Sequence, residues 1–470
     1  MEVFVIGTQW IRNGTVWTGT SFVRQDIEIR DGIIDRLFDS HTSVQPEPGA
    51  RITDAADRLV VPGFIDPHVH FNDPGRRIWE GIDTGSKAAV AGGITTFIDM
   101  PLNSHPSVTN GHLARDKKKA IEGRSHAHYG LWGGITRTNC RDQGALDAQL
   151  DAGVIGFKGF MSESGIEDFP YLDRDALREA MGYCGEHRVT LALHAEAEAV
   201  LERYRHLSGP DPASFLASRP PEAEWQALDW IIEDALRFQT AVHVVHVSTA
   251  DGVRMLHEAK MSGADITIET CPHYLLFTDT DFIKKGPLLK CAPPLRPLSE
   301  QEALWQTVAD GLVDIIGSDH SPCPLEMKEA GNDDIRNAWG GIPGVQSGHA
   351  ALLSEAVKRG VPLETVLPMM TDAPARRFFP ERQIGRIAPG FAADLTLLSK
   401  SSHTITEKEL LNRHPYSPYT GLTVDMTVSG VFLGGVHIYQ SGKGIKSPLL
   451  GHHFVKGGHD HDNRSLRRIY

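Results

Sequence analysis

His68 and His70 stand two apart in one apolar run, and Lys158, His194, His246 and Asp319 each lie in or at the end of another. On an extended chain, residues two apart project to the same face, so both imidazoles of the His-x-His pair can reach one ion. Imidazole and carboxylate are ligands for divalent metals, and a bound metal lowers the pKa of water to about 7, which makes a nucleophile available for hydrolysis. Four imidazoles, one carboxylate and one lysine drawn from several runs suit a two-metal hydrolytic site better than a structural zinc site, which is compact and closed. Taken singly, each has a plainer explanation: a His or Asp at a strand end is commonly a hydrogen-bonded structural group, and a chain with 23 histidines produces His-x-His by chance. Lys158 is the odd member. A protonated lysine offers three donors and no lone pair, so beside two cations it must be neutral, turned away or modified.

These residues share one site only if the elements that carry them converge. From Leu59 onward, short apolar runs alternate with segments of helical period, the pattern of βα units around a parallel sheet. Runs starting at Val60, Ile94, Ala127, Val154, Val189, Ala241, Asp265 and Val313 predict eight strands, with helices such as 173–186, 222–238, 250–261 and 299–310 between them. Eight βα units predict a TIM (β/α)8 barrel over 59–384, whose functional mouth lies at the C-terminal ends of the strands. His68 and His70 end the first strand, Lys158 sits on the fourth, His194 ends the fifth, His246 the sixth and Asp319 the eighth, so all six converge on that mouth. His187, His257 and His349 fall on helical segments and are assigned to the surface or to packing. His273 and His320 flank the site, in an orienting or a structural role.

Residues 1–58 show short β-like runs at 2–6, 15–17 and 27–29 with turn signals at Asn13-Gly14 and Asp31-Gly32, and 385–450 returns to short strands. The two segments are expected to pair, because the ends of a barrel domain commonly lie together. The remainder, 451–470, with His452, His453, His459 and His461, reads as a polar, disordered tail.

Composition excludes several classes. With 40% hydrophobic and 23% charged residues, the 470-residue chain is an ordinary globular protein. Lys and Arg total 47 against 60 Asp and Glu, and a net charge of −13 argues against a nucleic-acid partner. No apolar run approaches the roughly 20 residues that span a bilayer, so no membrane partner is expected. Five cysteines without a C-x-x-C pair fit reduced thiols, and the N-terminal MEVFVIGTQW lacks the basic and apolar regions of a secretory leader, so a cytoplasmic location is expected.

The ordered set HVHFNDPGRRIWEG, AGGITTFIDMPLNS, GFKGFMSESGIEDFP, HAE, HVS, TCPHY, KCAPPLR, SDHSPCP and GRIAPGFAADL resembles the cyclic-amide hydrolases of the amidohydrolase superfamily, and within them the allantoinases. The resemblance covers roughly Ile27 to Ile438. It implies a barrel carrying a β-sandwich made from both chain ends, and a homotetramer. It also implies that Lys158 is carboxylated by CO2 to N6-carboxylysine and bridges two divalent ions. Zinc is the expected metal, with Co, Mn, Fe or Ni also suited to such ligands. By resemblance His68, His70, Lys158 and Asp319 hold one metal, Lys158, His194 and His246 hold the other, and Asp319 moves the proton.

The substrate implied is a small cyclic ureide. Dihydroorotases carry an arginine two residues after the second His, where this chain has Asn72, and a neutral amide cannot replace a guanidinium at a carboxylate. Hydantoinases and dihydropyrimidinases place a tyrosine five residues after the bridging lysine, where this chain has Glu163. DMPLNS and SESGIEDFP look instead like allantoinases, whose hydantoin ring bears an uncharged ureido arm and is opened to allantoate in purine and ureide catabolism. Asn72 is expected to meet that arm, and groups at Cys291, Ser321 and Gly340 to hydrogen-bond the ring. The alternative is a hydantoinase or dihydropyrimidinase acting on other cyclic ureides. A scaffold protein of this superfamily would lack ligands, whereas all six positions are filled here, and no G-x-S-x-G elbow supports a serine hydrolase.

Overall fold

The structure is a computed structural model that describes residues 7–39, 44–446 and 449–455. The strand expected at 2–6 lies outside the described residues, as do His459 and His461.

All eight expected barrel strands form, as Phe64–Val69, Ile94–Asp99, His128–Leu131 with Gly133–Gly134, Gly156–Phe160, Thr190–His194, Val242–Val244, Ile266–Thr270 and Ile315–Ile316. They pair in parallel in chain order. The ring closes between the last strand and the first through the His70 N–H donating to the His320 carbonyl at 2.8 Å. The Ser318 N–H adds a bond to Asp66 Oδ1 at 3.0 Å. Register decides what faces inward. Lys158 pairs with Ala192, and Ala192 with His243, so their side chains share one face. Ala192 packs in the barrel's interior cluster with Ile98, Val245 and Phe378, so Lys158 points inward as well.

The helices between strands start where their sequences supply acceptors. Asp173 caps Arg174–Glu186 by accepting from the Asp175 and Ala176 amides, and Thr249 caps Ala250–Met261 by accepting from Gly252. Pro221 opens Pro221–Phe238, where its missing N–H costs no helical bond.

The run starting at Val60 is two strands rather than one. Leu59–Pro62 pairs with Gln9–Trp17 and Leu395–Thr404 in the second sheet, and only Phe64–Val69 enters the barrel. The break is at Gly63, where a Cβ would fall 2.1 Å from Thr95 Oγ1, so the chain can cross there only without a side chain. The second sheet joins both chain ends: strands from Gln9 to Pro62 are hydrogen-bonded in one array with Leu395–Thr404, Thr423–Leu433, Val436–Gln440 and Gly444–Ile445. Ile11, Val16, Ile27, Val60, Leu395 and Phe432 form its own apolar core. The fold is a (β/α)8 barrel with a β-sandwich built from the two ends of the chain.

Of the tail expected to be disordered from 451, residues 451–455 hold a defined place, and 456–470 lie outside the described residues. Residues 451–455 are seated on the third barrel strand: the Tyr129 N–H donates to the His452 carbonyl at 2.9 Å and the Phe454 N–H to the Tyr129 carbonyl at 2.7 Å. The physical reason is Phe454, an apolar anchor in a polar stretch, buried with its ring 4.7 Å from that of His128. Among the described residues no helix is long and apolar enough to cross a membrane.

Candidate active site at the barrel mouth

His68, His70, His194, His246 and Asp319 line one cavity of about 390 Å3 at the C-terminal ends of the strands. His68 Nε2 stands 3.1 Å and His70 Nε2 3.6 Å from Asp319 Oδ1, and the ligand atoms of these three residues lie within 4.8 Å of one another. On the other side, His194 Nδ1 faces His246 Nε2 at 3.0 Å. The ring of His246 connects the two groups, 5.4 Å from His68 and 4.7 Å from His194. Lys158 is fully buried and is not among the residues lining the cavity; its Nζ has no hydrogen-bond partner among the described residues and lies 5.0 Å from the Phe160 ring, which in turn stacks on His194.

The outer nitrogens explain the inner ones. His68 Nδ1 lies 2.8 Å from Glu269 Oε1, an acceptor, so in the neutral ring the proton is on Nδ1 and the Nε2 lone pair points at Asp319. His194 Nε2 likewise meets Glu196 Oε2 at 3.0 Å, which leaves the Nδ1 lone pair facing His246. Burial pulls the pKa of His68 and His194 down and that of His246 well down, keeping the rings neutral. Burial by itself would raise Asp319, but the imidazoles of His68, His70 and His246 that face it outweigh burial and hold its carboxyl below the usual range. The same burial lowers the Lys158 amine to about 8. The protonation states are therefore those that metal ligands need, and the His68 Nε2 lone pair faces the Asp319 carboxylate across a short gap that a cation would relieve.

Glu269 is the hub of this arrangement. Oε1 accepts from His68 Nδ1 and from the His246 N–H at 3.1 Å, while Oε2 meets His243 Nε2 at 3.0 Å. Glu196 joins His194 to the Arg219 guanidinium, which lines the cavity. Sequence reasoning assigned neither carboxylate a role. The signal was present: Glu196 is two residues after His194, on the same face of the chain, and Glu269 is an acid inside the otherwise buried run from Asp265.

His246 and Asp319 sit at φ values of 42° and 44°, the left-handed region that costs a non-glycine residue about 1–3 kcal/mol and clusters at functional sites. No residue pattern announced that.

Among the expected substrate contacts, Cys291, Ser321 and Gly340 line the cavity. Asn72 does not. It is 1% exposed at φ 61°, and its Nδ2 donates to the Pro322 carbonyl at 3.2 Å, so its amide ties two loops together behind the wall. Asn103 lines the wall instead, with Nδ2 3.3 Å from Ser321 Oγ. His320 contributes its carbonyl to barrel closure, and its Nδ1 accepts from the Gly344 N–H at 3.2 Å. Among the described residues His273 is buried without a hydrogen-bond partner, and His349 packs with its ring 5.5 Å from that of Phe64.

Comparison with known proteins agrees with this architecture. An allantoinase from Rubrobacter xylanophilus is 41% identical over 446 residues, which cover 93% of this chain and 95% of that protein. An allantoinase from Saccharomyces cerevisiae is 35% identical over 399 residues, 83% of this chain and 85% of its own length. Among solved structures, the L-hydantoinase (dihydropyrimidinase) from Arthrobacter aurescens superposes with a TM-score of 0.90 at 28% identity, covering 95% of this chain and 99% of that one. Residues 59–438 match the Amidohydrolase family. With that match spanning most of its length and its barrel mouth lined by the four histidines and the aspartate, the chain belongs to the amidohydrolase family.

Proposed function

We propose that this protein hydrolyses the hydantoin ring of allantoin to allantoate, a step in the breakdown of purine-derived ureides. The observation that carries the hydrolytic reading is the convergence at the cavity of His68, His70 and Asp319, whose ligand atoms lie within 4.8 Å of one another, with His194 Nδ1 and His246 Nε2 3.0 Å apart beside them and the amine of Lys158 unpartnered among the described residues. The choice of substrate is supported by relatives named allantoinase that align along nearly the whole chain.

His68, His70 and Asp319 would hold one divalent ion, His194 and His246 a second, and Lys158, as its anionic carbamate, would join both sets. Zinc suits these donors. When bound, such ions supply an activated water at neutral pH and a Lewis acid for the ring carbonyl.

The chain's own groups do the rest. Asp319 is ionised at the cavity wall, so its carboxylate takes the proton from the attacking water and returns it to the ring nitrogen as the C–N bond breaks. One water is consumed, and the carbonyl carbon stays in the opened molecule as a carboxylate, the second proton of the water passing to solvent. Cys291, Ser321 and Gly340 on the facing wall orient the ring. Position 72 supplies no guanidinium, and of the cations on the wall Arg219 and Arg336 are already paired with Glu196 and Asp334, which disfavours the carboxylate of dihydroorotate. We place the protein in the cytoplasm as a homotetramer. The domain junctions expected at 58/59 and 384/385 lie better at Gly63 and just before Leu395, where the chain passes between the sheets.

A turnover panel of allantoin, hydantoin, dihydrouracil and dihydroorotate, with metal analysis of the same sample, tests this reading. Allantoin should lead dihydroorotate by several orders of magnitude in kcat/KM, with about two divalent ions per chain. Preference for hydantoin or dihydrouracil would favour the second reading, a hydantoinase, which the 0.90 TM-score to the Arthrobacter enzyme motivates.

A further inference from the structure

The active-site cavity is not a single bowl. A second chamber of about 260 Å3 opens beside it, and Glu163, Phe215, Arg219, Lys290 and Arg336 line both, so the two form one branched space. A flat ring fills only the limb that holds the histidines and Asp319. The second limb fits a substituent carried on that ring.

The charges of this limb identify the substituent. Arg219 is paired with Glu196, Arg336 with Asp334, and Glu198 with Arg205. Among the described residues, two charged side chains of the limb have no ion-pair partner, and their signs are opposite. Lys290 is 8% exposed, with Nζ 5.3 Å from the Phe215 ring; it donates to the Ala338 carbonyl at 2.7 Å and to the Arg336 carbonyl at 3.2 Å, which leaves one of its three donors unused. Glu163 is held through its backbone, whose N–H donates to Glu198 Oε2 at 3.0 Å, while its own carboxylate makes no bond among the described residues. An anionic substituent would meet Glu163 and a cationic one Lys290. A neutral group that carries both an acceptor and a donor can satisfy both.

We propose that this side chamber is the subsite for the ureido arm of the substrate, with the Lys290 ammonium donating to the ureido carbonyl and the Glu163 carboxylate accepting from its terminal NH2. The inference rests on the allantoin reading and deepens it. Lys290 and Glu163 then select for the arm, while the ring is held and opened by groups in the main limb. Asn72, which the sequence suggested for this task, lies behind the wall.

The test is steady-state kinetics on the metal-loaded enzyme with allantoin as substrate and hydantoin, the same ring without the arm, as competing ligand. Lys290→Met removes a charge-assisted hydrogen bond and should lower kcat/KM for allantoin about 10- to 100-fold, chiefly through KM, while Ki for hydantoin stays within about threefold. Glu163→Gln keeps an acceptor but no charge and should cost about tenfold with the same selectivity. Lys290 also secures Ala338 and Arg336, so its loss could loosen the wall; in that event hydantoin would weaken in parallel, and Glu163→Gln, which has no such bonds, decides. Equal losses for both ligands in the Glu163 variant, or unchanged allantoin kinetics in both variants, would overturn the subsite. An unaltered enzyme that does not turn over allantoin would instead bring down the parent reading, and this inference with it.

Discussion

Replacing Glu269 by glutamine preserves the shape of the side chain and removes its charge. In the native arrangement Oε1 takes the His68 Nδ1 proton at 2.8 Å and the His246 backbone proton at 3.1 Å. The glutamine carbonyl can occupy the Oε1 position and its amide nitrogen can face His243, so both histidines keep their orientation. What is lost is the difference between a charge-assisted and a neutral hydrogen bond, about 1.4 kcal/mol, or roughly tenfold in the affinity of the site for its metals. Glu269→Ala goes further. It frees the His68 ring to rotate or change tautomer and leaves the His246 N–H unsatisfied in a fully buried place. Loss of an outer hydrogen-bond partner typically costs 10- to 100-fold in metal affinity, and the alanine variant should fall at the far end of that range. The assay is competition with a chromophoric chelator, which reads metal affinity independently of turnover, together with thermal unfolding of the metal-free proteins. Affinities in the order wild type, glutamine, alanine are expected. Equal affinity in all three would refute the claim that Glu269 holds the ligand set in place.

Lys158→Ala should lose metal and activity together, and a short carboxylic acid added to the medium should restore part of both by filling the space of the carbamate; retention of about two ions per chain without rescue would exclude a bridging role. Asp319→Asn should lower kcat by at least about 10²-fold, because the amide fills the space but cannot take a proton; near-normal turnover in the metal-loaded variant would remove Asp319 from proton transfer. His349 is fully buried, and burial lowers its pKa from 6.5 to about 4. The unfolded chain therefore binds the proton first, so the stability this group contributes is complete above about pH 6.5 and is lost as pH falls toward 4, at up to about 1.4 kcal/mol per pH unit. His349→Phe should flatten the dependence of Tm on pH in that window, and an unchanged slope would show that other groups set it.

Much of the site was legible before folding was considered. Strand periodicity is local, so the positions of His68, His70, His194, His246 and Asp319 at run ends could be read from the order of residues, and the barrel then required them to meet. The helices from Arg174 and Ala250 were equally legible, because Asp173 and Thr249 announce where they start. Other features depend on partners far apart in the chain. Glu269 lies 201 residues from His68, and only closure of the barrel brings them within hydrogen-bond distance. The break at Gly63 is set by Thr95, on the neighbouring strand. Phe454 orders a segment whose composition reads as tail, because a groove beside His128 and Phe379 receives it.

Asn72 and Lys290 mark the boundary between the two kinds of knowledge. Residue types, their period and their order are fixed by the sequence, and these suffice for the barrel, the candidate ligands at its mouth and the class of reaction. The sequence could not determine which side of a loop faces the substrate. Asn72 is next but one to a candidate ligand and points away from the cavity, whereas Lys290, on a different loop, lies on its wall. The physical reason is that side-chain direction in irregular backbone follows from φ and ψ, here 61° in φ at Asn72, and those angles are chosen by long-range hydrogen bonds such as that to Pro322 rather than by neighbours in sequence.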